Sequence, residues 1–143
     1  MAQGTALLFN EYSEELARGT HAWATHAYKI ALITTLPVVT QSTPQLGDYT
    51  ECSGGSYASV SATISISRSS AQTTIDVTNN PVWSQDGSGP TDIVAALIYN
   101  NTDAGKKAVG FIDMTVDGGS TPVSMQAGDV SLTFNASGFH TIG

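Results

Sequence analysis

The feature that most constrains this chain is a strict alternation over residues 58–67. Ala58, Val60, Ala62, Ile64 and Ile66 are separated one by one by Ser59, Ser61, Thr63, Ser65 and Ser67. Successive side chains of an extended strand point to opposite faces, so this segment reads as a strand with one apolar and one hydroxyl face. The same period recurs where Tyr28, Ile30 and Leu32 alternate with Lys29, Ala31 and Ile33, and where Ile75 and Val77 stand among Thr73, Thr74, Asp76 and Thr78. The run from Ile93 to Tyr99 is continuously apolar, as expected of a central strand covered on both sides. Val109 to Val116 and Val130, Leu132 and Phe134 complete the set.

Turn chemistry separates nearly every pair of these segments. The turns fall at Ser53-Gly54-Gly55-Ser56, Asn79-Asn80-Pro81, Asp86-Gly87-Ser88-Gly89-Pro90, Asn101 to Gly105, Asp117-Gly118-Gly119-Ser120 and Ala127-Gly128-Asp129. Glycine supplies positive φ in such turns, and Asn and Asp tolerate it. Roughly six to nine short strands at this spacing predict an all-β, single-domain antiparallel β-sandwich or jelly-roll-like barrel. One helical patch precedes them: Asn10 as N-cap, Glu11, Glu14 and Glu15 near the positive end, Arg18 near the negative end and Gly19 as the stop. The expected division is a 1–20 N-terminal arm carrying that short helix, docked on its own domain or reaching to a neighbour, and a 21–143 β-sandwich domain. Residues 36–46 hold Pro37, Pro44 and many hydroxyls with no clean period, and read as a loop over the surface or against a partner.

A 143-residue chain is long enough to bury one core without staples. Charged residues make up only 12% of it, about half the usual share, so much of the exterior is Ser, Thr, Asn and Gly. Lys and Glu are depleted in protein interfaces, and a surface short of them suits a protein packed against neighbours. Five Lys and Arg against twelve Asp and Glu give a formal charge of −7, which leaves few cations for counterion release and argues against nucleic acid as a partner. No run approaches the ~20 apolar residues of a membrane span, and the first residues lack a basic stretch followed by an apolar one, as a secretory signal requires. The single Cys52 excludes an internal disulfide framework and a Cys-based zinc site, and reads as a half-buried small residue behaving as a small hydrophobe.

The search for chemistry ends without a site. His21, His26 and His140 do not fit a metal-ligand spacing and read as solvated or hydrogen-bonded surface histidines, an expectation for the exterior of the domain. No G-x-S-x-G elbow singles out a serine, and no glycine cluster sits between a strand and a helix to cradle phosphate. The Glu14/Glu15 and Asp113/Asp117 pairs are nonspecific, and the Asp103 and Asp117 loops read as turns in preference to calcium sites. Two glycosylation sequons, at Asn100 to Thr102 and Asn135 to Ser137, carry no weight without secretion. The expectation is therefore no enzyme, no catalytic residue, no cofactor and no metal. Phe111, Phe134 and Tyr99 are expected in the core, whereas Trp23 and Trp83, outside clear strands, are candidate contacts with another chain.

Four phrases together carry a resemblance: Ala6-Leu7-Leu8-Phe9-Asn10-Glu11-Tyr12, Lys29-Ile30-Ala31-Leu32-Ile33-Thr34, Thr43-Pro44 to Gly47-Asp48-Tyr49-Thr50-Glu51, and Leu132-Thr133-Phe134-Asn135-Ala136-Ser137-Gly138-Phe139. Over nearly the whole chain, this resembles small structural proteins encoded near the head genes of tailed bacteriophages, including capsid decoration or cement proteins. The resemblance implies a virion protein made in the host cytoplasm and bound to the exterior of the capsid. Its implied partners are the major capsid protein and further copies of itself, often trimers at local threefold positions. An N-terminal arm in such proteins runs across the shell or exchanges between subunits. The alternative is a tail, neck or head-fibre component whose aromatic loops bind host-surface glycans. On either reading the expected contact residues are Leu7, Leu8, Phe9, Tyr12 and Leu16 of the arm, Trp23, Pro37, Pro44 and Leu46 of the loops, and Trp83.

Overall fold

The computed structural model describes residues 4–135 and 138–142. Among these residues, ten strands and one α-helix follow in the order β1 (Ala6–Leu8), α1 (Tyr12–Ala17), β2 (Tyr28–Ile33), β3 (Val60–Ser61), β4 (Ile64–Ser69), β5 (Gln72–Val77), β6 (Val82–Trp83), β7 (Ala95–Asn100), β8 (Ala108–Asp113), β9 (Val130–Ser131) and β10 (His140–Ile142), with a short 3₁₀ helix at Leu46–Asp48 between β2 and β3. The larger sheet has the order β1-β8-β7-β2-β3, and smaller sheets have the orders β10-β5-β4 and β6-β9. Every pairing is antiparallel. This is the sandwich-like arrangement expected from the period of two, with open edges and no closed barrel.

The apolar run ending in Tyr99 lies where its composition requires. β7 is buried at all six positions, between β2 and β8. One face of the large sheet, with Ile30, Leu32, Ala96, Ile98 and Ile112, packs against Ile75, Val77, Trp83, Val130 and Leu132 of the smaller sheets. The opposite face, with Ala31, Ile33, Leu97 and Phe111, is covered by Leu36, Val39, Leu46 and Tyr49. Hence the proline-bearing 36–46 segment is the lid of a second small core, with Pro37 and Pro44 buried.

The alternation over 58–67 does not form one strand. β3 pairs with β2 in the large sheet and β4 pairs with β5 in a small one, so the chain changes sheets at Ala62 and Thr63. Asn79 holds this corner: its Oδ1 accepts from Thr63 N at 2.7 Å and its Nδ2 donates to Ser61 O at 2.9 Å. The bend carries β4 away from the core, leaving Ile66 45% exposed although its period marks an inward face.

The start of the chain docks on its own domain. β1 pairs with β8 in the register Leu7 to Phe111, and Asn10 N donates to Val39 O. α1 begins after Glu11 and not Asn10, with no side-chain cap, and Gly19 at φ +81 ends it. Residues 1–3 of the expected arm, and Gly143, lie outside the described residues.

Candidate contact surface

The side chains expected at an interface are for the most part core. Phe9, Tyr12, Trp23 and Trp83 are 2%, 4%, 6% and 4% exposed within the single chain, and Pro37 and Pro44 are buried. Leu7, Leu8, Leu16 and Leu46 are half-buried against the two cores. The reason is that each aromatic finds its partners within the chain. Trp23 stacks on Tyr28 with centroids 4.0 Å apart, and its Nε1 donates to the Tyr12 hydroxyl at 2.6 Å. Trp83 Nε1 donates to Ala58 O at 2.9 Å. A tryptophan whose ring is packed and whose N–H is satisfied offers little to a partner.

The large exposed apolar side chains among the described residues are Val38, Ile66, Val82, Val116 and Ile142, and two of them share one sheet. Directly paired residues share a face of a sheet, so Ile66, Ile75 and His140 stand on one side of the β10-β5-β4 sheet, with Arg68, Thr73 and Ile142 further along it. Ile75 is buried on this face, whereas Ile66 directly opposite it on β4 and Ile142 further out on β10 are exposed. The other side of the sheet carries Ser65, Ser67, Thr74, Asp76 and Thr141. The hairpin tip over residues 68–72 is exposed throughout. No reading of the sequence singled out this surface; the signal was a pair of isoleucines on the hydroxyl-rich strand of highest regularity. A separate cleft of about 880 Å³ lies between the β1–β8 edge and the C-terminal segment, with Ala6, Ile112, Leu132, Phe134 and Phe139 among its lining residues.

The polar clusters are structural. Asp117 Oδ1 accepts from Ser120 N and Thr121 N, and its Oδ2 from the Thr121 hydroxyl, which holds its carboxyl below the ordinary aspartate range. Asp103 Oδ2 accepts from Lys107 N, so both acids build their turns. Asp113, fully buried, accepts from Thr115 N and Oγ1 through Oδ1. Among the described residues, no group of three or more His, Cys, Asp or Glu is placed to hold a metal ion.

No family model, curated protein or solved structure matches this chain. Among the described residues, no helix is long and apolar enough to cross a membrane. The second sequon has Ala136 and Ser137 outside the described residues, and the first has its asparagine, Asn100, fully buried.

Cys52 is buried beside Leu32, and burial, ahead of the nearby Asp92 and Glu51 charges, pushes its thiol up to about 12. The thiolate is the reactive form. Cys52 is therefore expected to react with a disulfide reagent at pH 8 only after denaturant is added, on a measured absorbance trace.

Proposed function

We propose that this chain is a virion structural protein, a capsid decoration or cement protein that binds the outer surface of the assembled head without chemistry of its own. The observation that carries the reading is the β10-β5-β4 sheet, which places exposed Ile66 and Ile142 on one face and ends in an exposed hairpin tip. Small apolar groups set among hydroxyls, with Arg68 as the one cation of the hairpin, give a surface that excludes water on contact without needing strong charge. The resemblance of the four sequence phrases supports the same reading, with the major capsid protein as partner and a trimer as the form of the free protein.

A cement protein works by binding the closed lattice better than the separate subunits, so mass action stabilises the shell. An acidic chain of formal charge −7 suits the exterior better than contact with packaged DNA. The glycan-binding alternative draws no support from the aromatic rings, all of which are buried or half-buried.

Cryo-electron microscopy of purified particles tests the proposal. Density at regular capsid lattice positions supports it, and density confined to the tail overturns it. A variant joining Ile66→Asp and Ile142→Asp is expected to bind purified heads at least about tenfold more weakly, because two charges are then set in the contact. Its melting temperature should stay near the parent's, since both side chains are exposed.

A further inference from the structure

We propose that the aromatic and imidazole cluster joining α1, residues 19–27 and β10 is an acid-sensitive latch, which holds β10 on β5 while its histidines are neutral and releases it when they take protons. Three chain-distant segments meet in this cluster. The Tyr12 hydroxyl accepts from Trp23 Nε1 at 2.6 Å and lies 2.7 Å from His140 Nε2. An indole nitrogen only donates, so the single Tyr12 proton finds its acceptor in this cluster at His140 Nε2 when that nitrogen is unprotonated. Protonating that nitrogen sets two donors facing each other. Tyr12 can turn its hydrogen away, but the phenol then loses the partner it had in a buried setting.

A second contact ties residues 20–26 to β7. Asn100 is fully buried, and its Oδ1 accepts from Thr102 N and Asp103 N, which fixes the amide so that Nδ2 faces the histidines. That nitrogen lies 2.9 Å from Thr20 O, 2.9 Å from His26 Nδ1 and 3.4 Å from His21 Nδ1. An amide nitrogen has two hydrogens to give, so beside Thr20 O it serves one imidazole nitrogen, and His26 Nδ1 is the nearer of the two. His21 is 2% exposed, and its Nε2 has no hydrogen-bond partner.

The surroundings do little to welcome the added charges. Burial drives His21 down to about 4, with Glu15 and Asp103 favouring its proton and Lys107 and His26 opposing it. Glu15 is itself engaged by Lys107 at 3.1 Å. Burial also lowers His140, whose ring meets Tyr12, Trp23 and Phe139. A histidine released to water titrates near 6.5. The closed latch is thus fully stabilised above about pH 6.5 and loses that stabilisation as pH falls toward the depressed values. Each ring taken up in this window raises the opening equilibrium about tenfold per pH unit.

β10 is the element that gives way. It is three residues long, Thr141 and Ile142 are exposed, and it pairs with β5 alone. Its departure leaves the β5 edge unpaired, a ready template for another strand.

Hydrogen exchange on the full chain at pH 7.0 and pH 5.0, corrected for intrinsic rates, tests the latch. Protection over residues 138–142 and 73–75 should fall by at least about tenfold at pH 5.0, while β7 and β8 keep theirs. Most carboxylates with ordinary values near 4 remain ionised at pH 5.0, so general acid unfolding is set apart. A variant joining His21→Gln and His140→Gln should show equal protection of β10 at both pH values. Unchanged protection in the parent, loss spread evenly over β7 and β8, or the same acid response in the variant overturns the proposal. Should that variant not fold, histidine ring titration of the parent by NMR decides: both rings titrating near 6.5 overturns it, and both titrating clearly below that value upholds it.

Discussion

Replacing Trp23 with alanine should lower the stability of the isolated chain by about 3–5 kcal/mol, the range for emptying a large aromatic site in a core. The ring is 6% exposed, stacked on Tyr28 and edge-on to Tyr12 and Phe139. Its removal also takes the Nε1 donor from the Tyr12 hydroxyl. Urea unfolding followed by circular dichroism measures the loss, and the midpoint is expected to fall while the slope is kept. Trp83→Ala should behave alike, because that ring is 4% exposed and bonded to Ala58 O. A contact residue would show the opposite pattern, with full stability in the free protein and weakened binding to heads. If either alanine variant unfolds at the parent's midpoint, its tryptophan is not core.

This separation of core from surface marks where the sequence is legible and where it is not. The run Ile93 to Tyr99 announces a strand buried on both faces because nothing in it tolerates water, and β7 is that strand. Gly19 as a helix stop and the period of two in Tyr28–Ile33 are equally local properties. Trp23 and Trp83 belong to no clear period, so sequence alone left them free to face a partner. Their burial comes in part from residues far along the chain: Trp23 from Phe139 and His140, and Trp83 from Ala58.

The corner at Ala62 and Thr63 was illegible for a different reason. Alternation is the same on both sides of a bend, and the choice of sheet depends on Asn79, which bonds Ser61 and Thr63 from beyond the next hairpin. That one choice exposes Ile66 and so produces the candidate contact surface. Asn100 did carry a readable signal, a polar residue closing an apolar strand. Its partners at Thr20 and His26 are nevertheless a matter of tertiary placement.

Gly110→Ala should be the most damaging change available at the N-terminal strand. Gly110 lies in β8 opposite Leu8, and a Cβ built there would fall inside contact distance of the Leu7 carbonyl oxygen and close on Leu8 Cα. Those atoms are backbone, so no rotamer change relieves the overlap. Either β8 shifts within the sheet, which disturbs Ile98 and Tyr99 at the existing register irregularity, or β1 lifts away. The second course is the easier because β1 is a three-residue edge strand bonded on one side only. Overpacking of this kind costs about 1–3 kcal/mol, and loss of the Leu8 and Phe9 packing adds to it. Amide exchange should therefore speed up over residues 5–9 ahead of β2 and β7, with the midpoint of unfolding lowered. The same variant bears on oligomers. A freed β1 is an edge strand that can pair with β8 of another copy, the exchange expected of an N-terminal arm. Light scattering at rising concentration should show a larger species for Gly110→Ala only if a second copy accommodates the added methyl better than the chain's own β1 does. The geometry predicts that it does not, because the exchanged strand would meet the same Leu7 carbonyl. Monomer dissociation without exchange, or an unaltered assembly of weaker subunits, is the expected outcome, and a stable exchanged dimer would mean that β1 docks on β8 in another register.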